Sequence, residues 1–328
     1  MKAAYYTALG ASDVLTVGEM DIPEPGYGEI RVKIAASGVN PSDWKARQRG
    51  RGGVLPFPKI IPQSDGAGVV DARGNGVSSV KEGDRVWVLN GQWQRPFGTA
   101  AEYIVLPEKY VIPLPDGTSF EEGACFGIPF LTAHRAVFFD GSVTGQTLLI
   151  QGGAGTVGHH AIQIAKRDGA RVIATVSGDE KGAIAKGAGA DEVLNYRDDD
   201  YVDQGLALTE GRGADRIIEV NLSANAPLYD QILAPKGTVV IYGTDDAIAQ
   251  VPAMNFIVRG AQLKWFIVYE LTEAELAEGV DYLNGMLADG ALETLISDRF
   301  PLEDISAAHD CIADARNLGN VVLNIADL

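Results

Sequence analysis

Two patterns of apolar and polar residues divide the chain near residue 122. Before that point, short runs that are apolar or alternate apolar with polar residues are separated by Gly, Pro and Asp, as in residues 30–36 and 84–89. Such runs between turn-forming residues are typical of β-strands, and residues 66–70 and 101–105 predict further strands. We therefore expect residues 1–122 to form a β-rich domain.

Beyond residue 122 the pattern changes to strands that alternate with helices. Strands are expected at 147–151, 171–176, 192–195, 215–220, 238–242 and 262–268. Helices are expected between them, among them 224–233, with a long amphipathic helix over 273–288 after the last strand. Alternation at this spacing predicts a parallel, doubly wound sheet, which assigns residues 123–288 to a Rossmann domain.

The tail of the chain adds a short helix over 303–311 and a strand over 320–324. Since the sheet of the second domain already has its full set of strands, we expect residues 289–328 to return to the first domain. The predicted fold class is thus α/β, with a β-rich domain formed by both ends of the chain and a Rossmann domain between them.

The strand–helix junction at residues 148–166 carries the candidate chemistry. An apolar run ends in the turn Gly153-x-Gly155-x-x-Gly158, and apolar residues then recur at helical spacing. A pyrophosphate group that binds at a helix N-terminus must approach bare backbone N–H groups, which glycine allows. The motif in this context predicts a dinucleotide site, although a merely glycine-rich turn would show the same spacing.

The end of the second strand of this domain bears on which dinucleotide binds. NAD sites place an Asp or Glu there for the ribose hydroxyl groups, whereas this strand ends in Ser177. Lys181 follows one helical turn later, and Tyr196 ends the next strand. A hydroxyl, a cation and a phenol suit a 2′-phosphate, which a carboxylate would repel, so NADPH is favoured over NADH. The alternative is that Lys181 is merely solvated and that Asp179 or Glu180 reaches the ribose.

The composition narrows the class of protein. The 328 residues include 27 Lys and Arg against 44 Asp and Glu, a net charge of −17. An acidic chain repels nucleic acid and anionic lipid, so neither is an expected partner, and the charge also simply favours solubility.

Cys125 and Cys311 stand among apolar residues, as small core residues of an intracellular protein do. Residues 1–6 lack the apolar run of a secretion signal, and no segment has the length of a membrane span, so we expect a cytoplasmic protein.

Several short blocks occur in the order of one known superfamily. They are residues 38–43 (GVNPSD), 83–86 (GDRV), 127–133 (GIPFLTA), 152–158 (GGAGTVG), 187–190 (GAGA), 195–197 (NYR) and 319–323 (GNVVL). With these blocks the chain resembles the medium-chain dehydrogenase/reductase superfamily, and within it the quinone oxidoreductase (zeta-crystallin-like) family. The resemblance implies a GroES-like catalytic domain over residues 1–122 and 289–328. It also implies that the Rossmann domain over residues 123–288 binds NADPH.

The resemblance also implies a role for each matching position. Asn40 would lie beside the nicotinamide ring, where it is the first catalytic candidate, and Asn320 would close over the cofactor. The other implied cofactor-binding positions are Gly153, Ala154, Gly155, Thr156 and Val157 at the pyrophosphate, Ser177, Lys181 and Tyr196 at the adenosine ribose and its 2′-phosphate, and Thr132, Gly243, Thr244, Phe266, Ile267 and Val268 along the nicotinamide half.

A catalytic zinc ion is the main alternative within the superfamily. Zinc alcohol dehydrogenases bind the metal through Cys, His and a further Cys or Asp, and the matching positions here are Asn40, Ser64 and Ile128. Two cysteines cannot supply the additional four-cysteine lobe, and the histidines are isolated or adjacent on one helix. No metal site is expected.

Without a metal, the acceptor itself must spread the incoming negative charge. Quinones and α,β-unsaturated carbonyls do so through conjugation, whereas unactivated ketones need a Lewis acid or a proton donor. The residues therefore favour hydride transfer from NADPH to a quinone or an enone.

Two alternative functions remain. One is an enoyl-thioester reductase, for which the expected tyrosine near Asn40 is missing; the other is a non-catalytic nucleotide-binding protein of the crystallin-like or RNA-binding kind.

Residues 44–51 depart from the family, whose substrate cleft carries tyrosines here. The stretch contains no tyrosine and four cations, Lys45, Arg47, Arg49 and Arg51. Either these cations form a pocket mouth that attracts an anionic or carbonyl substrate, with Lys45 as the second catalytic candidate, or the stretch is a solvated loop. Asp43 is interpreted as a turn or cap residue rather than an acid.

The last strand of the cofactor domain suggests how two copies associate. In the resembling family this strand lies at the sheet edge and pairs with its copy, and here residues 263–269 are long, apolar and aromatic. An open edge of this kind favours aggregation, and pairing across a two-fold axis removes it. We expect a homodimer with Lys264 near the contact, unless a loop of the same chain covers the edge.

Overall fold

The computed structural model describes residues 1–50 and 52–328, so Arg51 of the cationic stretch lies outside the described residues. The described chain divides into two units. Unit 1 comprises residues 1–128, 287–289 and 294–328, and unit 2 comprises residues 129–286 and 290–293. Residues 123–128 thus lie in unit 1 and not in the unit that contains the glycine turn.

The described residues form the following strands and helices. The strands are β1 (Lys2–Tyr5), β2 (Thr16–Glu19), β3 (Glu29–Val39), β4 (Asp65–Arg73), β5 (Arg85–Val88), β6 (Tyr103–Pro107), β7 (Val111–Pro113), β8 (Thr147–Ile150), β9 (Arg171–Val176), β10 (Glu192–Asn195), β11 (Ala214–Glu219), β12 (Leu233–Ile241), β13 (Gln262–Trp265), β14 (Ile296–Pro301) and β15 (Asn320–Asn324). The helices are α1 (Pro41–Arg49), α2 (Phe120–Gly123), α3 (Leu131–Val137), α4 (Thr156–Arg167), α5 (Asp179–Gly187), α6 (Tyr201–Leu208), α7 (Leu222–Asn225), α8 (Tyr229–Ile232), α9 (Ala253–Arg259), α10 (Glu273–Ala288) and α11 (Ile305–Ala313). Among these helices none combines the length and the apolar character that crossing a membrane requires.

Unit 1 is built on a seven-stranded sheet in which β14, β15, β3, β4, β5 and β7 are neighbours in that order and β6 pairs with β3. In the long strand β3, Ile30, Val32 and Ile34 alternate with polar residues and are each 0% exposed. One face of the strand is therefore buried in the core. The four strands predicted in the first 122 residues are present as β3, β4, β5 and β6, with ends shifted by a few residues.

Residues 294–328 of the tail lie in unit 1. Strand β15 pairs antiparallel with β3, and Val321 stands opposite Val39. The predicted helix is α11, and its apolar residues Ile305 and Ala308 belong to the same buried cluster as Val39. The tail thereby contributes both a strand and a covering helix to the sheet of unit 1.

Unit 2 contains a six-stranded sheet in the order β10, β9, β8, β11, β12, β13. All its neighbouring strands are parallel, and the strand order reverses between β8 and β11. Sheets of this doubly wound kind bind ligands at the carboxyl ends of the strands near that reversal. The predicted α/β fold class, with a sheet-rich domain and a Rossmann-like domain, is confirmed.

The helix predicted over 224–233 is wrong as a single element. Two short helices, α7 and α8, flank a 3-10 turn, Ala226–Leu228, which contains Pro227. Proline lacks the N–H that a continuous helix would need and its ring clashes with the preceding turn. The next strand, β12, begins at Leu233 rather than at residue 238, because Leu233 already pairs with Ala214 across a bulge.

The edge strand is shorter than the predicted span of 262–268. Strand β13 ends at Trp265, which pairs with Ile241, the last residue of the neighbouring strand β12. Beyond that point Phe266 N–H still donates to the Ile241 carbonyl at 3.3 Å, but the ladder with β12 has ended. Val268–Glu270 then forms a 3-10 turn. The predicted position at the edge of the parallel sheet is confirmed.

Candidate active site

The glycine turn joins β8 to α4 in a conformation that side chains would block. Gly152 has a φ of +70°, and a Cβ on Gly158 would lie 2.2 Å from the Gly152 carbonyl oxygen. The turn is held to β9 because Gly153 N–H donates to the Thr175 carbonyl at 2.9 Å, and Gly152 N–H donates to the Thr175 hydroxyl at 3.1 Å. Glycine is thus required by the close approach of backbone to backbone.

The start of α4 offers N–H groups to an anion. The N-cap residue of this helix is Gly155, which has no side chain to cap it. His159 N–H donates to the Gly155 carbonyl at 2.8 Å, so the N–H groups of Thr156 and Val157, which precede this bond, have no acceptor within the helix. Together with the positive end of the helix dipole, these groups suit a pyrophosphate.

A buried network of polar side chains stabilises the glycine turn. This network was not predicted from the sequence. Thr175 Oγ1 donates to Gln151 Oε1 at 2.6 Å, and Gln151 Nε2 donates to Tyr201 OH at 3.3 Å. Because the Thr175 hydroxyl also accepts from Gly152, these side chains fix the backbone of the turn. The available signal was that Gln151 and Thr175 are polar residues at the ends of two apolar strands.

Ser177 and Tyr196 directly follow the carboxyl ends of β9 and β10, and Lys181 lies in the helix after β9. Tyr196 N–H donates to the Val176 carbonyl at 3.0 Å, which sets Tyr196 beside Ser177. Lys181 is half-buried in the first turn of α5 and has no ion pair or hydrogen bond with another described side chain. A half-buried cation at the positive end of a helix is unfavourable by itself, and an added phosphate would compensate it.

The residues expected along the nicotinamide half differ in what they offer a ligand. The Thr132 hydroxyl on α3 is buried and finds no hydrogen-bond partner in the described parts of the chain. A Cβ on Gly243 would lie 2.2 Å from the Val220 carbonyl oxygen, so the backbone after β12 passes close to the end of β11. The Thr244 hydroxyl donates to the Asp246 carbonyl at 2.9 Å. The Thr132 hydroxyl is therefore unsatisfied, whereas the Thr244 hydroxyl is already bonded.

Phe266, Ile267 and Val268 come directly after β13. The ring of Phe266 packs near Phe139, with centroids 6.1 Å apart, while Ile267 is 46% exposed. Val268 is buried within unit 2. Of the three side chains, Ile267 is the most open to a ligand.

Asn40 joins β3 to α1 and is the N-cap of that helix. Its backbone N–H donates to Asp43 Oδ2 at 2.7 Å, and its carbonyl accepts from Asp43 N–H at 3.0 Å. Together with Pro41 at the first helical position, these bonds start the helix. The interpretation of Asp43 as a cap residue is confirmed.

Residues 44–49 of the cationic stretch lie in the helix α1, so for these residues the alternative of a solvated loop is wrong. The Asn40 cap starts the helix, and its side chains then point in different directions. Arg47 is 2% exposed, which places it in the interior of unit 1 and not at a pocket mouth. Lys45 is half-buried, with Nζ 5.7 Å from the centre of the Trp44 ring, and its catalytic role stays a prediction.

Asp65 supplies a buried acid next to Asn40. Its side chain is 0% exposed, and Oδ2 accepts from Asn40 Nδ2 at 2.8 Å and from the backbone N–H of Ile128 at 2.9 Å. Burial raises the pKa of Asp65 to about 7, although both hydrogen bonds lower it. Only its neighbour Ser64 was considered as a candidate from the sequence. The available signal for Asp65 was a charged residue at the start of the buried strand β4.

Asn320 lies next to Asn40, because β15 pairs with β3 and Val321 stands opposite Val39. The backbone N–H and Nδ2 of Asn320 both donate to the Leu295 carbonyl, at 2.7 and 2.9 Å. The side chain is thus tied to its own unit by one N–H bond. Its expected role over the cofactor stays a prediction.

Both units match known families. Residues 26–116 match the alcohol dehydrogenase GroES-like domain, and residues 156–284 match the domain described as zinc-binding dehydrogenase. The chain is 32% identical to a quinone oxidoreductase of Sus scrofa over 326 residues, which cover 98% of this chain and 97% of that protein. The chain belongs to the quinone oxidoreductase family of the medium-chain dehydrogenase/reductase superfamily.

The structure of this oxidoreductase is similar to solved structures over 99% of the chain. An NAD-dependent alcohol dehydrogenase matches it with a TM-score of 0.92 at 30% identity, over 99% of this chain and 100% of the other. A mycobacterial protein complexed with NADPH matches with a TM-score of 0.89 at 28% identity, over 99% of this chain and 100% of the other. The enzyme is therefore an oxidoreductase with a nicotinamide cofactor and a small-molecule substrate.

The residues of this oxidoreductase do not fit the zinc ion that one family description names. Asn40 directs an N–H donor at Asp65, and Ile128 offers a backbone N–H at the same place. Across residues 1–50 and 52–328, no three His, Cys, Asp or Glu side chains stand where they could hold a metal ion together. We therefore derive no chemical step through zinc.

Proposed function

We propose that this oxidoreductase is an NADPH-dependent reductase that passes hydride to a quinone or an α,β-unsaturated carbonyl without a catalytic metal. The observation that carries the proposal is the pairing of Asn40 with Asp65. At positions where zinc dehydrogenases bind the metal, this chain directs two N–H donors at one carboxylate oxygen. Donors in this arrangement satisfy an anion and oppose the binding of a cation. The quinone oxidoreductase name of the Sus scrofa relative supports the choice of substrate class.

The proposed chemistry assigns a task to each part of the site. NADPH, when bound, supplies a hydride from C4 of its nicotinamide ring. The N–H groups at the start of α4 would bind the pyrophosphate, and Asn40 would take the position beside the ring that the family resemblance implies. Because neither Asn40 nor Asn320 polarises a carbonyl as strongly as a metal ion does, the acceptor must delocalise the incoming charge itself. A quinone or an enone meets that requirement, and solvent or a weak acid then supplies the proton.

The preference for NADPH rests on the end of β9. Lys181 lies in the first turn of α5 and has no ion pair with a described side chain, and a 2′-phosphate would supply a counter-ion. Ser177 and the Tyr196 phenol add hydrogen-bonding groups, and the strand tip carries no repelling carboxylate. The NADPH complex of the mycobacterial relative supports this choice, while the NAD-dependent relative makes NADH the alternative to be separated by experiment.

We also propose that two copies of the chain associate through the edge of the parallel sheet and the adjacent α9. Beside the open edge of β13, α9 exposes Met254, Ile257 and Val258 at 70, 74 and 78%, and Trp265 of the strand is 58% exposed. Pairing of two such edges across a two-fold axis would bury these side chains. Lys264 already has an ion pair within unit 2, so the apolar side chains are the main contributors to the proposed contact.

An acceptor panel tests the proposed activity. Oxidation of NADPH and of NADH is measured against a quinone, a short enone, a crotonyl thioester and an unactivated ketone, before and after exhaustive chelation. We expect turnover with the quinone or the enone, a preference for NADPH, and no effect of the chelator. Turnover with the thioester alone would favour the enoyl-thioester reductase alternative. Stoichiometric zinc whose removal abolishes turnover would contradict the metal-free mechanism.

A further inference from the structure

Asp65 joins three segments that are far apart in the sequence. Asn40 follows β3, Asp65 begins β4, and Ile128 lies beyond α2, so the two donors reach Asp65 Oδ2 from positions 25 and 63 residues away. The backbone of Asp65 is also fixed, since its carbonyl accepts from Thr99 Oγ1 at 2.7 Å. The carboxylate is therefore held in place, and the Asn40 carboxamide that donates to it is held as well.

The other carboxylate oxygen, Oδ1, is enclosed without a hydrogen-bond partner in the described chain. It lies against the backbone of Gly127, where a Cβ would come within 2.1 Å of Oδ1. A proton on Oδ1 would have no acceptor, and a proton on Oδ2 would compete with the donors from Asn40 and Ile128. In either position, protonation replaces a charge-assisted bond to Asn40 with a weaker one.

We propose that Asp65 is a positioning residue, whose ionised carboxylate holds the Asn40 carboxamide in the orientation used for hydride transfer and whose protonation releases it. The proposal rests on the proposed function, because that function places Asn40 beside the nicotinamide ring. It adds a residue that acts through Asn40 and makes the rate of hydride transfer depend on pH. Asp65 itself contacts neither substrate nor cofactor in this proposal.

The surroundings of Asp65 set the pH at which the change occurs. Burial raises its pKa to about 7 and the two N–H donors lower it, with no contribution from a charged side chain of residues 1–50 and 52–328. The titratable group that faces Asp65 is the Cys125 thiol, whose pKa is raised by burial and by the Asp65 charge. From α2, Glu121 and Glu122 raise the pKa of the same thiol further, and Glu121 is itself paired with Arg299 at 2.8 Å. The thiol thus stays neutral while Asp65 titrates.

The direct test follows the side-chain amide of Asn40 by NMR in the protein without any acceptor. Asparagine is labelled with ¹⁵N, and the signal is assigned by its loss in Asn40→Ala. We expect the wild-type shift to titrate with a midpoint near pH 7 and the Asp65→Asn variant to show no titration. Asp71→Asn is the matched control, since Asp71 lies on the same strand but pairs with Arg31 at a partly exposed site. A wild-type Asn40 signal that stays constant from pH 5 to pH 9 would overturn the proposal.

Single-turnover hydride transfer gives the second readout. In the wild type, the rate should fall about tenfold as Asp65 becomes protonated, since small changes of position strongly affect such reactions, while the KM for the acceptor changes little. Asp65→Asn retains an acceptor oxygen without the charge, so its rate should stay at the low value at every pH. An acidic limb that persists unchanged in Asp65→Asn would contradict the proposal.

The two readouts separate this inference from the proposed function. Titration of Asn40 in a protein that reduces none of the acceptors would refute the reductase activity and uphold the link between Asp65 and Asn40. Turnover with a constant Asn40 signal would refute the link alone. Both results come from the wild-type protein, so they remain informative if Asp65→Asn folds poorly.

Discussion

The glycine turn of unit 2 and the Asp65 cluster of unit 1 (Asn40, Asp65 and Ile128) are built in opposite ways. The turn uses backbone groups from one short stretch, in which a Cβ on Gly158 would meet the Gly152 carbonyl oxygen at 2.2 Å. The cluster brings two donors to a carboxylate from positions 25 and 63 residues away. The turn thus depends on shape, and the cluster depends on charge. A change of pH should alter the cluster and leave the turn unaffected.

The largest effect is expected on the pH dependence of stability when Asp65 loses its charge. The pKa of Asp65 is raised from 3.8 to about 7, so the folded state binds more protons than the unfolded state between these values. Stability is therefore lost as the pH rises through that window. Relative to the wild type, the free energy of unfolding of Asp65→Asn should increase by about 4 kcal/mol between pH 4 and pH 8, as measured by urea unfolding.

Comparison of the variant with the wild type removes the contribution of the buried histidines, which has the opposite sign. Burial lowers the pKa of His160 and of His309 from 6.5 to about 3, so the stability they contribute is lost as the pH falls below 6.5. Asp71→Asn should show no comparable increase. The same pH dependence in Asp65→Asn and in the wild type would mean that Asp65 has an ordinary pKa.

A second prediction concerns the shape of the glycine turn. In Gly158→Ala, the added Cβ forces the turn to open, and we expect NADPH binding to weaken about 100-fold, or about 2.7 kcal/mol. The loss should be equal at pH 6 and pH 8, because no titratable group is involved. Gly187→Ala is the control, since a Cβ there meets no atom within 4 Å. Calorimetric titration measures both, and an unchanged affinity in Gly158→Ala would place the pyrophosphate elsewhere.

A third prediction concerns the charge of Lys181 in unit 2 and its effect on the choice between NADPH and NADH. Lys181→Ala should weaken NADPH about tenfold by removing one charge-assisted contact, and it should leave NADH nearly unchanged. Lys186→Ala provides the matched control on the same helix, where the lysine pairs with Glu192 at 3.6 Å. Dissociation constants for both cofactors are compared by fluorescence quenching. Equal losses for the two cofactors in Lys181→Ala would contradict the assignment of the 2′-phosphate.

The smallest effect on activity is expected from the proposed interface between copies. Ile257→Asp places a charge on the exposed face of α9 and should convert a homodimer into a monomer, with the folded units intact. Tyr27→Asp is the control, because Tyr27 is 85% exposed and belongs to unit 1. Light scattering at micromolar concentration measures the mass. A wild-type monomer with full activity would rule out the dimer.

Whether a contact can be predicted from the sequence depends on the distance along the chain between the interacting groups. The glycine turn and the capping role of Asp43 are local, and both were predicted. The break at Pro227 was also local, and the expectation of a continuous helix passed over it. Asp65 contacts Asn40 only because β3 pairs with β4, so no short sequence motif predicts their contact. The length of β13 likewise depends on where the neighbouring strand ends.

Transfer of deuterium tests the central claim most directly. NADPH that carries deuterium at both C4 positions is mixed with the chelator-treated enzyme and an α,β-unsaturated carbonyl in a single turnover, and the product is analysed by mass spectrometry and NMR. We expect one deuterium at the β-carbon for each NADPH consumed, with the proton at the α-carbon derived from solvent. Consumption of NADPH without deuterium in the product, or transfer only after zinc is restored, would contradict metal-free hydride transfer to a conjugated acceptor.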